Sequence, residues 1–173
     1  QLAAPSPEQV AAAQEELNAQ DPDAEPIKTA GEPWLISVGG KLLEPAPADS
    51  GAIPVSGLTP IAPQAGSLLQ VPEGERTQMN ALTSLLRALE EAEMKADVTA
   101  IRLESTQLVL RYLDRFDVKM RLNADFQYDL RLMLTIRQQL DEKHGETSAG
   151  SIDLTRDGDY AVYSPAKPDE APV

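Results

Sequence analysis

The chain has 173 residues, 28 of them acidic and 15 basic, so its formal net charge is −13. This length fits one domain with appendages, and the excess of acids argues against nucleic acid as a partner, because a polyanion is attracted by clustered Lys and Arg. The absence of cysteine excludes a disulfide framework and a thiolate metal site. The sequence also contains no stretch of about 18 apolar residues, which is the length needed to span a bilayer.

The N-terminal segment is acidic and rich in Pro and Ala. Residues 1–30 carry six acids against one base and contain no aromatic residue. Such a segment buries too little apolar surface to offset an ordering cost of roughly 1 to 2 kcal/mol per residue. Within it, Glu8–Ala19 favours a helix, with Ser6 as the N-cap and Pro7 at the first helical position. We therefore predict a solvated, transiently helical spacer over 1–31.

A strand pair and a proline-rich crossing follow the spacer. Trp34–Val38 and Lys41–Leu43 are predicted as two strands joined by a two-residue Gly-Gly turn. Residues 44–72 contain six prolines, which exclude a helix there. Short extended pieces are predicted at Ile53–Val55 and Leu68–Val71.

The remaining chain alternates helices with strands. Apolar residues at spacings of three and four predict helices over Glu73–Met94 and Ala124–Lys143. The strands are predicted at Val98–Leu103, Leu108–Leu113, Phe116–Leu122, Ser151–Thr155 and Asp159–Tyr163. In the third of these strands apolar and charged residues alternate, which is typical of a sheet with one buried face. The order predicts an α+β fold, a mostly antiparallel sheet with two main helices packed on it.

Three segments, in their order and spacing, resemble the FtsQ/DivIB family of bacterial cell-division proteins, specifically its extracytoplasmic β-domain. They are Trp34-Leu-Ile-Ser-Val-Gly-Gly-Lys-Leu-Leu43, Ile53-Pro-Val-Ser-Gly57 and Ile152-Asp-Leu154. The resemblance covers roughly residues 32–164, which we predict as the β-domain, followed by a flexible tail over 165–173. Where the family tends to have Arg after the third segment, this chain has Thr155, so no role is carried over for that arginine.

The resemblance implies a non-catalytic hub in septum formation. The family's β-domain pairs with subunits of the FtsB/DivIC and FtsL types outside the cytoplasmic membrane. Family members have a membrane-spanning helix and a POTRA domain, and residues 1–31 contain neither. Because the first residue is Gln1 and not Met, we expect this chain to be a piece of a longer, membrane-anchored protein; the alternative is a divergent relative of the family. We predict no role in catalysis, no cofactor and no metal.

The resemblance also places the partner edge near the last strand. A terminal strand with unpaired N–H and C=O groups on one side is a template for strand addition. By position, the partner-binding residues are Tyr160, Ala161, Val162, Tyr163 and Ser164. If the Val162 N–H points outward, replacing Val162 by Pro would weaken this pairing. In the alternative interpretation these residues merely complete the core and the tail covers the edge.

Other candidate sites fit their motifs poorly. Asp153, Thr155, Asp157 and Gly158 match four positions of a calcium loop, but the twelfth position is Ser164 and not Glu, which favours a hairpin turn. Ser164 to Lys167 matches an S-x-x-K pattern without its partner motifs. His144 is the only histidine, so a multi-histidine metal site is excluded, and a helix C-terminus explains its position.

Two other functional classes stay open. One is a small secreted or surface-attached enzyme or ligand-binding domain, which would use the acidic residues near 153–159. The other is an acidic cytosolic scaffold. An upstream apolar segment of about 20 residues would favour the membrane-anchored hub over this scaffold.

Overall fold

The structure is a computed structural model that describes residues 1–29, 31–156 and 161–166. The chain divides into two compact units, an N-terminal unit Gln1–Arg87 and a C-terminal unit Ala88–Val173. The division falls within the helix Arg76–Glu91.

The described residues form three α-helices and eight strands. The helices are α1 (Pro7–Gln20), α2 (Arg76–Glu91) and α3 (Phe126–His144). The strands are β1 (Trp34–Ile36), β2 (Leu42–Pro45), β3 (Val55–Ser56), β4 (Val98–Leu103), β5 (Gln107–Tyr112), β6 (Phe116–Arg121), β7 (Gly150–Asp153) and β8 (Val162–Pro165). This arrangement confirms the α+β fold class. In the described residues no helix is long and apolar enough to cross a bilayer.

The N-terminal segment is an ordered part of its unit. The predicted start of α1 is confirmed, because Ser6 and Gln9 form a reciprocal capping box. Before α1, the Leu2 N–H donates to the Trp34 carbonyl at 2.7 Å and the Ala3 N–H donates to the Val55 carbonyl at 2.7 Å. Leu2 is only 1% exposed. The structure thus differs from the predicted solvated spacer, since pairing with β1 and β3 satisfies the backbone and buries an apolar side chain.

The first hairpin has a longer turn than the Gly-Gly pair predicts. β1 and β2 pair antiparallel, and the Ser37 N–H donates to the Lys41 carbonyl at 2.9 Å, so the loop has three residues. Gly40, the last of them, has a φ of +79°. A three-residue hairpin loop requires this left-handed conformation at its end, and glycine adopts it without strain.

The sheet of the C-terminal unit is mixed, which corrects the prediction of a mostly antiparallel sheet. β4, β5 and β6 pair antiparallel in sequence order, and β7 and β8 also pair antiparallel. β6 and β7 are parallel. The reason is the α3 connection, because a helical crossover returns the chain to the same end of the sheet.

One face of this sheet is buried. In β6 the alternation is as predicted, with Phe116, Val118 and Met120 fully buried and the charged residues between them partly exposed. Val118 pairs with Ile152 of β7, which is also fully buried. We call the side of the sheet that carries these residues the core face and the other side the open face.

Candidate partner-binding edge

β8 is the last strand of the sheet and contains three of the five predicted partner-binding residues. Val162, Tyr163 and Ser164 lie in β8, Ala161 directly precedes it, and Tyr160 lies outside the described residues. β8 pairs with β7 on one side, and no strand from the described part of the chain pairs with its other side. We call that second side the outer edge of β8.

The hydrogen-bond pattern determines which amides point to the outer edge. The Ala166 N–H donates to the carbonyl of Ala149, its direct opposite, at 2.9 Å. Hydrogen-bonded pairs alternate along an antiparallel ladder, so the N–H groups of Val162 and Ser164 also face β7 and that of Tyr163 faces outward. Val162→Pro was expected to weaken partner pairing only if the Val162 N–H points outward. Because this N–H faces β7, the substitution does not remove a donor from the outer edge.

The β6–β7 ladder supports this alternation independently. The Gly150 N–H donates to the Arg115 carbonyl at 3.0 Å and the Leu154 N–H donates to the Lys119 carbonyl at 2.9 Å. The N–H groups of Gly150, Ile152 and Leu154 therefore face β6. The N–H and C=O groups of Ser151 and Asp153 face the other way, toward β8.

Side chains of β8 alternate between the two faces of the sheet. Tyr163 is opposite Ile152, so it lies on the core face, where its ring meets the Phe116 ring edge to face at 6.4 Å between centroids. Val162 is opposite Asp153 on the open face. Tyr163 and Val162 are both partly exposed, so an added strand would cover apolar surface on both faces.

A glycine permits the close approach of β8 to β7. A Cβ on Gly150 would clash with the Ser164 carbonyl oxygen and lie 2.9 Å from the Pro165 Cα. Its φ of +155° is also rarely adopted by other residues. The sequence analysis did not single out Gly150, although a glycine inside a strand pattern commonly indicates close backbone approach.

The loop before β7 fixes the Tyr163 side chain. The Tyr163 hydroxyl donates to the Ala149 carbonyl at 2.9 Å, the same oxygen that accepts the Ala166 N–H. Arg115, in the turn between β5 and β6, binds this loop through the Ser148 carbonyl at 2.8 Å. Arg115 has no recognisable motif around it, so the sequence analysis missed it.

Asp153 of β7 lies opposite Val162 and is the only acidic residue in the described part of the 153–159 segment. Burial alone would raise its pKa, but hydrogen bonds from the Thr155 hydroxyl and N–H, at 2.6 and 2.9 Å, lower it together with the charges of Arg156 and Lys119. The resulting pKa lies below the ordinary value for an aspartate, so Asp153 is ionised at neutral pH. Asp157 and Gly158, which complete the calcium-loop match, lie outside the described residues.

Other features of the described residues offer less to a ligand. No group of three or more His, Cys, Asp or Glu that could hold a metal ion occurs in the described residues. His144 is the last residue of α3, as predicted. A groove of about 300 Å³ lies between the end of α2 and the start of α3. None of the residues that line this groove belongs to the 153–159 segment.

Comparison of the chain with protein-family models, with curated proteins and with solved structures finds no match.

Proposed function

We propose that the chain is a non-catalytic interaction module of a bacterial division complex, which binds subunits of the FtsB/DivIC and FtsL types through the outer edge of β8. In this proposal the module lies on the extracytoplasmic side of the membrane as part of an anchored protein. The sequence resemblance supports the choice of partner. The single observation that carries the docking mode is the position of β8, whose outward backbone groups have no neighbouring strand from the described residues.

Strand addition fits the chemistry of this edge. An extended partner segment would accept from the Tyr163 N–H and donate to the Tyr163 carbonyl, because both groups of one residue point the same way in an antiparallel ladder. Pro165 contributes only a carbonyl, since proline has no N–H. The backbone supplies affinity in this mode, and side-chain pockets supply specificity.

The faces of the sheet constrain the partner's side chains. A partner residue opposite Tyr163 would lie on the core face, so we expect it to be apolar and to cover the Tyr163 ring. Its sequence neighbours would lie on the open face beside Val162 and Ser164, where an apolar residue and a small polar residue fit.

The experiment replaces single backbone amides by esters, which removes an N–H and retains the side chain. An ester at the Tyr163 nitrogen removes the outward donor and should raise the dissociation constant for the FtsB/DivIC–FtsL pair of the same organism about fivefold, because one hydrogen bond contributes about 1 kcal/mol. The unbound domain should lose less stability than with an ester at the Val162 nitrogen, because the Tyr163 ester keeps every N–H that faces β7 and only makes the Val162 carbonyl a weaker acceptor. Binding is measured by calorimetry and stability by urea unfolding.

The matched control is the same replacement at Val162, whose N–H faces β7. This ester should weaken the β7–β8 pairing and lower the stability of the unbound domain by about 1 kcal/mol. Equal affinity of the Tyr163 ester and the natural chain would exclude this edge as the docking site. No binding of the natural chain would reject the proposed partner.

A further inference from the structure

Arg115 lies in the turn between β5 and β6. Its side chain connects this turn with the end of α3 and with the loop before β7. Its Nη2 lies 2.6 Å from Asp141 Oδ1 in the last turn of α3. The same nitrogen donates to the Ser148 hydroxyl at 2.9 Å, and its Nε donates to the Ser148 carbonyl at 2.8 Å. One guanidinium therefore holds the end of α3 and the loop that leads to β7.

The backbone of Arg115 extends this contact to the start of β7. Its carbonyl accepts from the Gly150 N–H at 3.0 Å. Arg115 thus binds the chain on both sides of Ala149, at Ser148 through its side chain and at Gly150 through its backbone. These two contacts flank the Ala149 carbonyl on both sides.

The Ala149 carbonyl in turn holds β8. It accepts from the Tyr163 hydroxyl and from the Ala166 N–H, each at 2.9 Å. A second path reaches the same strand, since the Arg115 guanidinium carbon lies 4.9 Å from the centre of the Phe116 ring, and this ring packs edge to face on Tyr163.

We infer that Arg115 is a positioning residue for the outer edge of β8: it fixes the loop 145–149, and this loop fixes the Tyr163 side chain and the end of β8. This inference rests on the proposed function where it concerns the partner, but its structural part can be tested without a partner. A planar guanidinium suits this role because it donates to Asp141 and to Ser148 at the same time.

The test uses Arg115→Lys, which retains the charge beside Asp141, so no unpaired carboxylate is left buried. A single ammonium cannot reproduce the paired contacts to Ser148. We expect hydrogen exchange at the amides of Val162, Ser164 and Ala166 to accelerate about tenfold through local opening, with Leu110 in β5 unchanged. The NMR shifts of the Tyr163 ring protons should move, because they depend on the Phe116 ring.

The matched control is Arg111→Lys in β5. Arg111 binds Asp117 at 3.0 Å and the Asp114 carbonyl at 2.7 Å, and no contact to the loop 145–149 is among its hydrogen bonds. This variant should leave the three β8-side amides and the Tyr163 ring signals unchanged. Equal effects of the two variants, or uniform acceleration across the whole sheet, would overturn the positioning role.

Partner binding is tested with a disulfide that locks β8 to β7. Ser151 and Ser164 are opposite each other on the open face. Because the chain contains no cysteine, Ser151→Cys with Ser164→Cys introduces a single cross-strand bridge.

Arg115→Lys should weaken binding of the FtsB/DivIC–FtsL pair about five- to tenfold in the unlocked chain and leave it unchanged in the locked chain. Weakening that persists in the locked chain would contradict the inference. If the natural chain itself does not bind, the proposed function fails, and the amide exchange still decides the role of Arg115.

Discussion

Single residues decide whether the outer edge of β8 exists. At Gly150 the strands approach too closely for a side chain, and the backbone adopts a φ of +155°. Gly150→Ala should therefore destabilise the C-terminal unit by about 2 kcal/mol or more and detach β8, because the clashing atoms belong to the backbone. Urea unfolding and the amide exchange of Val162 and Ser164 measure these effects.

The control for this substitution is Gly31→Ala. A Cβ at Gly31 meets nothing within 4 Å, so the change in unfolding free energy should stay within about 0.5 kcal/mol. A tolerated Gly150→Ala with protected amides in β8 would contradict the close packing of these two strands.

Among the elements, the turn between β5 and β6 has an unfavourable sequence for its shape. Leu113 and Asp114 have φ values of +54° and +53°, and the Arg115 N–H donates to the Tyr112 carbonyl at 3.0 Å. Two left-handed residues in succession form a type I′ hairpin turn, for which Asn and Gly are preferred. This turn presents Arg115 to the loop 145–149.

Replacing Leu113 by Asn should relieve part of this strain. We expect a gain of about 0.5 to 1 kcal/mol in unfolding free energy, since Asn adopts the left-handed conformation more readily than Leu. The control is Thr106→Asn in the β4–β5 loop, where the residue has no positive φ and no gain is expected. Thermal unfolding of both variants measures the difference, and an equal response at the two positions would argue against turn strain.

At the scale of the whole molecule, the first residues complete a unit whose other strands lie far away in sequence. The Leu2 backbone pairs with β1, its side chain is 1% exposed, and the Gln1 nitrogen donates to the Ile53 carbonyl at 2.7 Å. Leu2→Ala should lower the stability of the N-terminal unit by about 2 to 4 kcal/mol, as for other buried leucines. Fluorescence of Trp34, the only tryptophan, reports this unfolding directly.

Leu43 provides the matched control because it is 47% exposed in the same unit. Leu43→Ala should change the unfolding free energy by less than about 0.5 kcal/mol. A Leu2→Ala variant as stable as Leu43→Ala would restore the interpretation of residues 1–31 as a solvated spacer.

The sequence by itself determined the local elements of this protein. The Ser6 cap, the spacing of apolar residues in α2 and α3 and the alternation in β6 are all encoded within about ten residues, so the helices and strands were predictable to within a few positions. A last strand near residues 159–163 was also predictable, and the structure has it at Val162–Pro165; its use by a partner stays a prediction.

Only the tertiary structure decided how these elements are combined. The parallel pairing of β6 and β7, the outward direction of the Tyr163 amide and the roles of Gly150 and Arg115 depend on contacts between residues far apart in the chain. The burial of Leu2 has the same origin, because its partners lie more than 30 residues away. Local periodicity indicates which face of a strand is apolar, but it does not indicate which strand lies beside it. The pairing of strands depends on the free energy of the whole fold.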